Sequence, residues 1–149
     1  MRRWATISLI LVLAVQGCGV ARGGCTEIGG FDGLSAEIPR SLFIASGRVT
    51  FEVCRSAECA TATVTLPRVP EGAVGRLVSV SFSELDKRFS AGTVKVAVAL
   101  MDDAGTTTAT ARRDVELTTS FPNGRACDGE GYVSGTLTMT AQDRAPSRA

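Results

Sequence analysis

From Arg48 to Thr140 the chain repeatedly alternates apolar and polar side chains. A period of two is what a strand with one buried face requires. Arg48 to Cys54 sets Val49, Phe51 and Val53 against Thr50 and Glu52, and Ala60 to Leu66 puts Ala60, Ala62, Val64 and Leu66 on one side. Leu77 to Phe82 aligns Val78, Val80 and Phe82, while Thr93 to Met101 aligns Val94, Val96, Val98 and Leu100. Thr106 to Leu117 is a long Thr-rich strand ending on Val115 and Leu117. Tyr132 to Thr140 turns Val133, Leu137 and Met139 inward, with Gly135 read as a bulge. A shorter opening run, Leu34 to Ile38, brings the number of strands to about seven.

Turn chemistry falls between these runs, at Asp102-Asp103-Ala104-Gly105, at Pro122-Asn123-Gly124 and along the loop from Pro67 to Gly75. Ser83 to Phe89 reads as the one helical turn, with Ser83 as its cap. Short alternating strands about ten residues apart predict an all-β domain over residues 25–140. The expected architecture is an antiparallel β-sandwich of about seven strands, immunoglobulin-like or transthyretin-like. The tryptophan that antibody domains bury beside a cysteine pair is missing, since Trp4 is the sole tryptophan. Residues 141–149 are polar, contain Pro146, and are expected to be a disordered tail.

Composition removes whole classes of function. The 16 Lys and Arg nearly balance the 15 Asp and Glu, so there is no electrostatic case for nucleic acid. Histidine is absent, which excludes imidazole bases, Ser-His-Asp and Cys-His catalysis, and HExxH zinc sites. There is no G-x-S-x-G elbow and no S-x-x-K motif. Lys95 sits on the polar side of an alternating strand and reads as a solubilising charge, as Arg112-Arg113 reads as solvated strand. Gly29-Gly30-Phe31-Asp32-Gly33 lacks the strand–loop–helix setting of a phosphate loop and reads as a flexible lead-in. Six Phe and one Tyr make a poor platform for sugars. The expectation is a non-enzymatic protein without a cofactor.

The N-terminus is of a different character. Arg2 and Arg3 precede an apolar run from Ala5 to Val15, the pattern of an export signal over residues 1–17. That run is shorter than the ~20 residues of a membrane-spanning helix. Leu13-Ala14-Val15-Gln16-Gly17-Cys18 resembles the bacterial lipobox. The resemblance implies that Cys18 becomes a diacylglyceryl-modified N-terminus, followed by a short lipid-bearing tether over residues 18–24. Two or three acyl chains on one residue hold a protein firmly to a bilayer, whereas one binds only marginally.

Five cysteines are an odd number for an exported chain. With Cys18 lipidated, Cys25, Cys54, Cys59 and Cys127 remain, enough for two disulfides with three connectivities open. Cys54 and Cys59 enclose Arg55-Ser56-Ala57-Glu58 between two strand-like runs, and a hairpin sets such residues directly opposite. That pairing is preferred, and by elimination Cys25 joins Cys127. Zinc on four thiolates is the rival reading, but the spacing is not CxxC…CxxC and extracytoplasmic thiols oxidise. For Ca²⁺ the carboxylates to consider are Asp102, Asp103, Asp128 and Glu130; no DxDxDG loop is present, and Asp-Gly pairs serve ordinary turns.

With the lipobox, Cys25-Thr26-Glu27-Ile28-Gly29, Val53-Cys54-Arg55 to Cys59, and Phe121-Pro122-Asn123-Gly124 to Cys127, the chain resembles small actinobacterial lipoproteins of uncharacterised function. Such proteins carry a second cysteine soon after the one matching Cys127. Here Gly129, Gly131 and Tyr132 stand in that neighbourhood, which favours Cys25 as the partner of Cys127. The resemblance brings no known activity with it; the expectation is a lipid-anchored module on the outer face of the bacterial cytoplasmic membrane, whose Thr- and Ser-rich sheet face suits contact with an envelope protein or polymer. The alternative is a Ca²⁺ or small-ligand domain built on the loops around Asp102 and Asp128. It requires both loops at one end of the fold.

Overall fold

The computed structural model describes Cys25 and residues 28–43, 47–67 and 75–145. The signal segment 1–17, Cys18, the 18–24 tether and residues 146–149 lie outside the described residues. Seven strands form: β1 (Gly33–Pro39), β2 (Arg48–Arg55), β3 (Glu58–Thr65), β4 (Gly75–Ser81), β5 (Gly92–Met101), β6 (Thr107–Ser120) and β7 (Tyr132–Thr138). Two single-turn helices, α1 (Arg40–Phe43) and α2 (Arg125–Asp128), and a 3₁₀ turn over Ala141–Asp143 complete the described elements. The strands run β3-β2-β5-β6-β7-β1-β4 in one sheet curled into a half-barrel. The inward residues of the alternating runs meet inside the curl as one apolar cluster that includes Phe51, Leu34, Ile38, Leu100 and Leu117.

The all-β expectation holds, but the purely antiparallel one does not. β1 lies parallel to β7, with Leu34 opposite Gly135, and antiparallel to β4, with Leu34 opposite Val80. It is buried along most of its length, with Glu37 its one exposed residue, and on its outer face Ser35 and Ser79 share a 2.8 Å hydroxyl hydrogen bond. A strand set between two neighbours and so largely buried is one that tolerates parallel pairing. Nor do the strands divide into two separate layers, because β6 belongs to both halves of the sheet. Its residues Thr107–Leu117 pair with β5, and Thr118–Ser120 pair with the start of β7.

Gly135 is placed by that curl rather than by a bulge. A Cβ there would stand 2.8 Å from both Leu117 Cδ2 and Val115 Cγ1, so only glycine lets β7 cross β6 so closely. The ladder irregularity lies instead between β5 and β6, where Leu100 pairs with Ala109 and Met101 with Thr107, leaving Thr108 of β6 as the extra residue. The helical turn expected from Ser83 is a run of turns over Phe82–Asp86 that is capped two residues earlier. Ser81 N donates to Glu84 Oε2 at 2.7 Å, and Glu84 N donates to Ser81 Oγ at 3.3 Å, a reciprocal Ser-x-x-Glu box.

The expected disordered tail is ordered up to Ala145. Arg144 bridges to Ala109, and Ala145 N donates to Thr108 O at 2.9 Å. Asp143 accepts from Thr140 N and pairs with Arg113 Nη2, both at 2.8 Å, and so ties the 3₁₀ turn that follows β7 to β6. A polar segment without periodicity gives no sign of this, because the contacts are with a strand thirty residues away.

The Asp143 side chain is only 9% exposed. Burial pushes its carboxyl up. The Thr140 N–H and the Arg113 hydrogen bond and charge outweigh this, leaving it below the ordinary carboxylate value. A depressed folded pKa contributes stability above the unfolded value of about 3.9, lost as pH falls through the folded one. We expect Asp143→Asn to cost about 1–2 kcal/mol at neutral pH in urea denaturation. It should also flatten the loss of stability below about pH 4. An acid limb unchanged from wild type would remove this ion pair from the account.

Candidate functional site

Strand directions gather the connections at two ends. The β2–β3 turn, the β4–β5 connection, the β6–β7 loop and the start of β1 share one end; the β5–β6 turn and α1 share the other. Both disulfides lie at the first end. Cys25 is bonded to Cys127, with Cα atoms 5.6 Å apart, across a sequence separation of 102. The lead-in to β1, expected to be flexible, is pinned beside that bond. Asn123 Oδ1 accepts from Ile28 N at 3.1 Å, and Asn123 Nδ2 donates to Ile28 O at 2.8 Å. Asp32 Oδ1 accepts from Val133 N at 2.5 Å. A Cβ on Gly30 would fall inside the Tyr132 ring, so the lead-in passes beneath that ring.

Cys54 and Cys59 are direct partners in the β2–β3 register and are bonded, with Cα atoms 4.1 Å apart. Across the other edge of β2, Lys95 of β5 is the register partner of Cys54. Glu52, two residues before Cys54 and on the same face, brings Oε1 to 3.6 Å from Cys54 Sγ. Ligand atoms of Glu52, Cys54 and Cys59 all lie within 4.8 Å of one another. They line an open recess of about 520 Å³ on the outer face of the sheet, together with Lys95, Arg112 and Asp114. With the sulfurs joined, neither can act as a thiolate ligand.

The turn that carries this disulfide is held independently of it. Arg55 donates to Ser90 Oγ at 2.6 Å and to Ser90 O at 2.7 Å, and Lys87 Nζ meets Glu58 Oε2 at 2.5 Å. The hydrogen bond from Lys87, and then its charge, hold the Glu58 carboxyl below its ordinary range.

The carboxylates singled out for Ca²⁺ do not come together. Asp102 closes the β5–β6 turn by accepting from Thr106 N at 2.8 Å, and Asp103 packs over Gly47. Asp128 lies at the opposite end of β6, its two oxygens accepting from Asn123 N and Nδ2 at 2.8 Å each. Glu130 faces Arg88 at 3.6 Å and is almost wholly exposed. The fourteen residues of β6 separate the two loops, so the shared cation site has no geometric basis. Among the described residues, the group of side chains close enough to hold a metal is Glu52, Cys54 and Cys59. In the sequence Glu52 reads only as the polar face of a strand. Its signal was its place two residues before a cysteine, on the same face.

Arg113, expected to be a solvated strand residue, pairs with Asp143. Compared with known proteins, the chain matches no family model, no curated protein and no solved structure.

Proposed function

We propose that the chain is a lipid-anchored, extracytoplasmic β-domain acting as a non-enzymatic interaction module on the outer face of a bacterial cytoplasmic membrane. It would thus be like the small actinobacterial lipoproteins it resembles. The observation that carries this reading is cysteine parity. Four of the five cysteines are bonded in pairs, and the fifth, Cys18, stands at the end of the lipobox-like segment. Two disulfides also suit an oxidising compartment.

Seven residues of chain from Cys18 to Cys25 reach at most about 25 Å, which turns the disulfide-bearing end toward the membrane. The β5–β6 turn, α1 and the Thr-rich outer face then point away from it, available to an envelope protein or polymer. That face is polar, as the 2.9 Å hydroxyl pair between Thr50 and Thr63 illustrates. On this reading the curled sheet is a sandwich of the immunoglobulin-like or transthyretin-like kind in which both layers share β6.

The test is the non-reduced intact mass of the protein extracted from its native membrane. The expected chain begins at Cys18, carries acyl mass and lacks four hydrogens. An unlipidated chain in the medium, or one retaining residues 1–17, would sink the anchor.

A further inference from the structure

We propose that the Cys54–Cys59 bond is a redox gate whose opening exposes a site for a thiophilic divalent cation of the zinc type, held by the two cysteine sulfurs and the Glu52 carboxylate. This goes beyond the interaction-module reading and does not depend on the lipid. The three ligand atoms are already within 4.8 Å of one another, so little needs to move once the S–S bond opens. Cys59 is exposed on the edge strand β3, and the recess beside it admits an attacking group. The hairpin does not rely on the bond to stay closed. Eight register pairs join β2 to β3, and Arg55 and Glu58 tie its turn to the β4–β5 connection. Reduction therefore leaves the ligands in place, as a reversible gate needs.

The chemistry balances with a dithiol as the reductant. One thiolate of the dithiol attacks Cys59 Sγ, forming a mixed disulfide and expelling the Cys54 thiolate. The second thiolate attacks the reductant's own sulfur in that mixed disulfide and releases the Cys59 thiolate. The reductant leaves as a disulfide, having given up two electrons and two protons. The protons rest on the protein sulfurs until the metal displaces them to solvent. Two thiolates and a carboxylate carry three negative charges against the two of the cation. The excess is met by the Lys95 ammonium, placed by register beside Cys54. Three protein ligands leave one tetrahedral position open, the arrangement of zinc sites that take an exogenous ligand.

The experiment uses the full chain carrying Cys18→Ser, so that only the four paired sulfurs remain. Graded reduction with alkylation and peptide mass mapping should label Cys54 and Cys59 first, while Cys25–Cys127 stays joined and the circular dichroism stays native. Cadmium added after reduction with a phosphine should give thiolate charge-transfer absorption saturating at one equivalent, reversed by excess zinc. Glu52→Gln keeps both cysteines and the oxidised fold. Loss of even an outer partner of a metal site costs about 10–100-fold in affinity, so loss of this ligand should weaken cadmium at least that much.

The proposal is overturned by any of three results. These are reduction of Cys54–Cys59 only together with unfolding, cadmium absorption that survives Cys54→Ser/Cys59→Ser, and Glu52→Gln binding cadmium as tightly as the parent.

Discussion

Replacing Cys25 and Cys127 together by serine should lower stability by about 4–5 kcal/mol, the contribution of a cross-link that closes a loop of about a hundred residues. For a domain of this size that is a fall in Tm of roughly 15–20 °C. The bond joins the lead-in of β1 to the β6–β7 loop, and so ties the beginning of the fold to its last strand pair. Without it the unfolded chain recovers all the freedom of that loop, while the folded chain keeps the Asn123 and Asp32 hydrogen bonds. The matching control is Cys54→Ser/Cys59→Ser. Its sequence separation is five, and even a 15-residue loop contributes only about 3 kcal/mol, so this loss should be smaller. The ranking of the two variants in calorimetry is the sharp readout. Equal losses would mean that neither bond acts mainly through the unfolded chain.

Phe51→Ala is expected to cost about 3–5 kcal/mol in urea or thermal denaturation. Phe51 lies in the middle of β2, fully buried, with Val98 of β5 and Ala62 of β3 as its register neighbours. Hydrogen-bonded ladders on both sides fix those neighbours, so the space left by the ring cannot close by collapse. Leu77→Ala makes the contrast. Leu77 is 58% exposed on β4, and its truncation should stay within about 0.5 kcal/mol. A Phe51→Ala loss below about 1 kcal/mol would mean that the concave side of the sheet is not a closed core.

The residues that failed to declare themselves share one property: their partners are distant in the chain. Asp143 reads as part of a polar tail until Arg113, thirty residues away, is placed beside it. Asn123 reads as turn chemistry until Ile28, ninety-five residues away, is found bonded to it. Gly135 announces a special position but not its reason, which is the approach of Val115 and Leu117. Lys95 was legible as a charge on the outer face, but not as the neighbour of a disulfide.

Local order told the rest. A period of two is written residue by residue, so the run of each strand, the side chains that face inward and the opposition of Cys54 and Cys59 across a tight turn are all legible locally. Which strand sits beside which is set by how the inward faces pack, and the alternation is the same for any neighbour. Tertiary structure alone decided that β1 is wedged parallel to β7, that the Asp102 and Asp128 loops stand at opposite ends of β6, and that Glu52, two cysteines and Lys95 meet in one recess. The physical reason is that the hydrophobic drive behind this packing is non-directional. It selects the arrangement that buries every inward face at once, and no single segment of the chain encodes that choice.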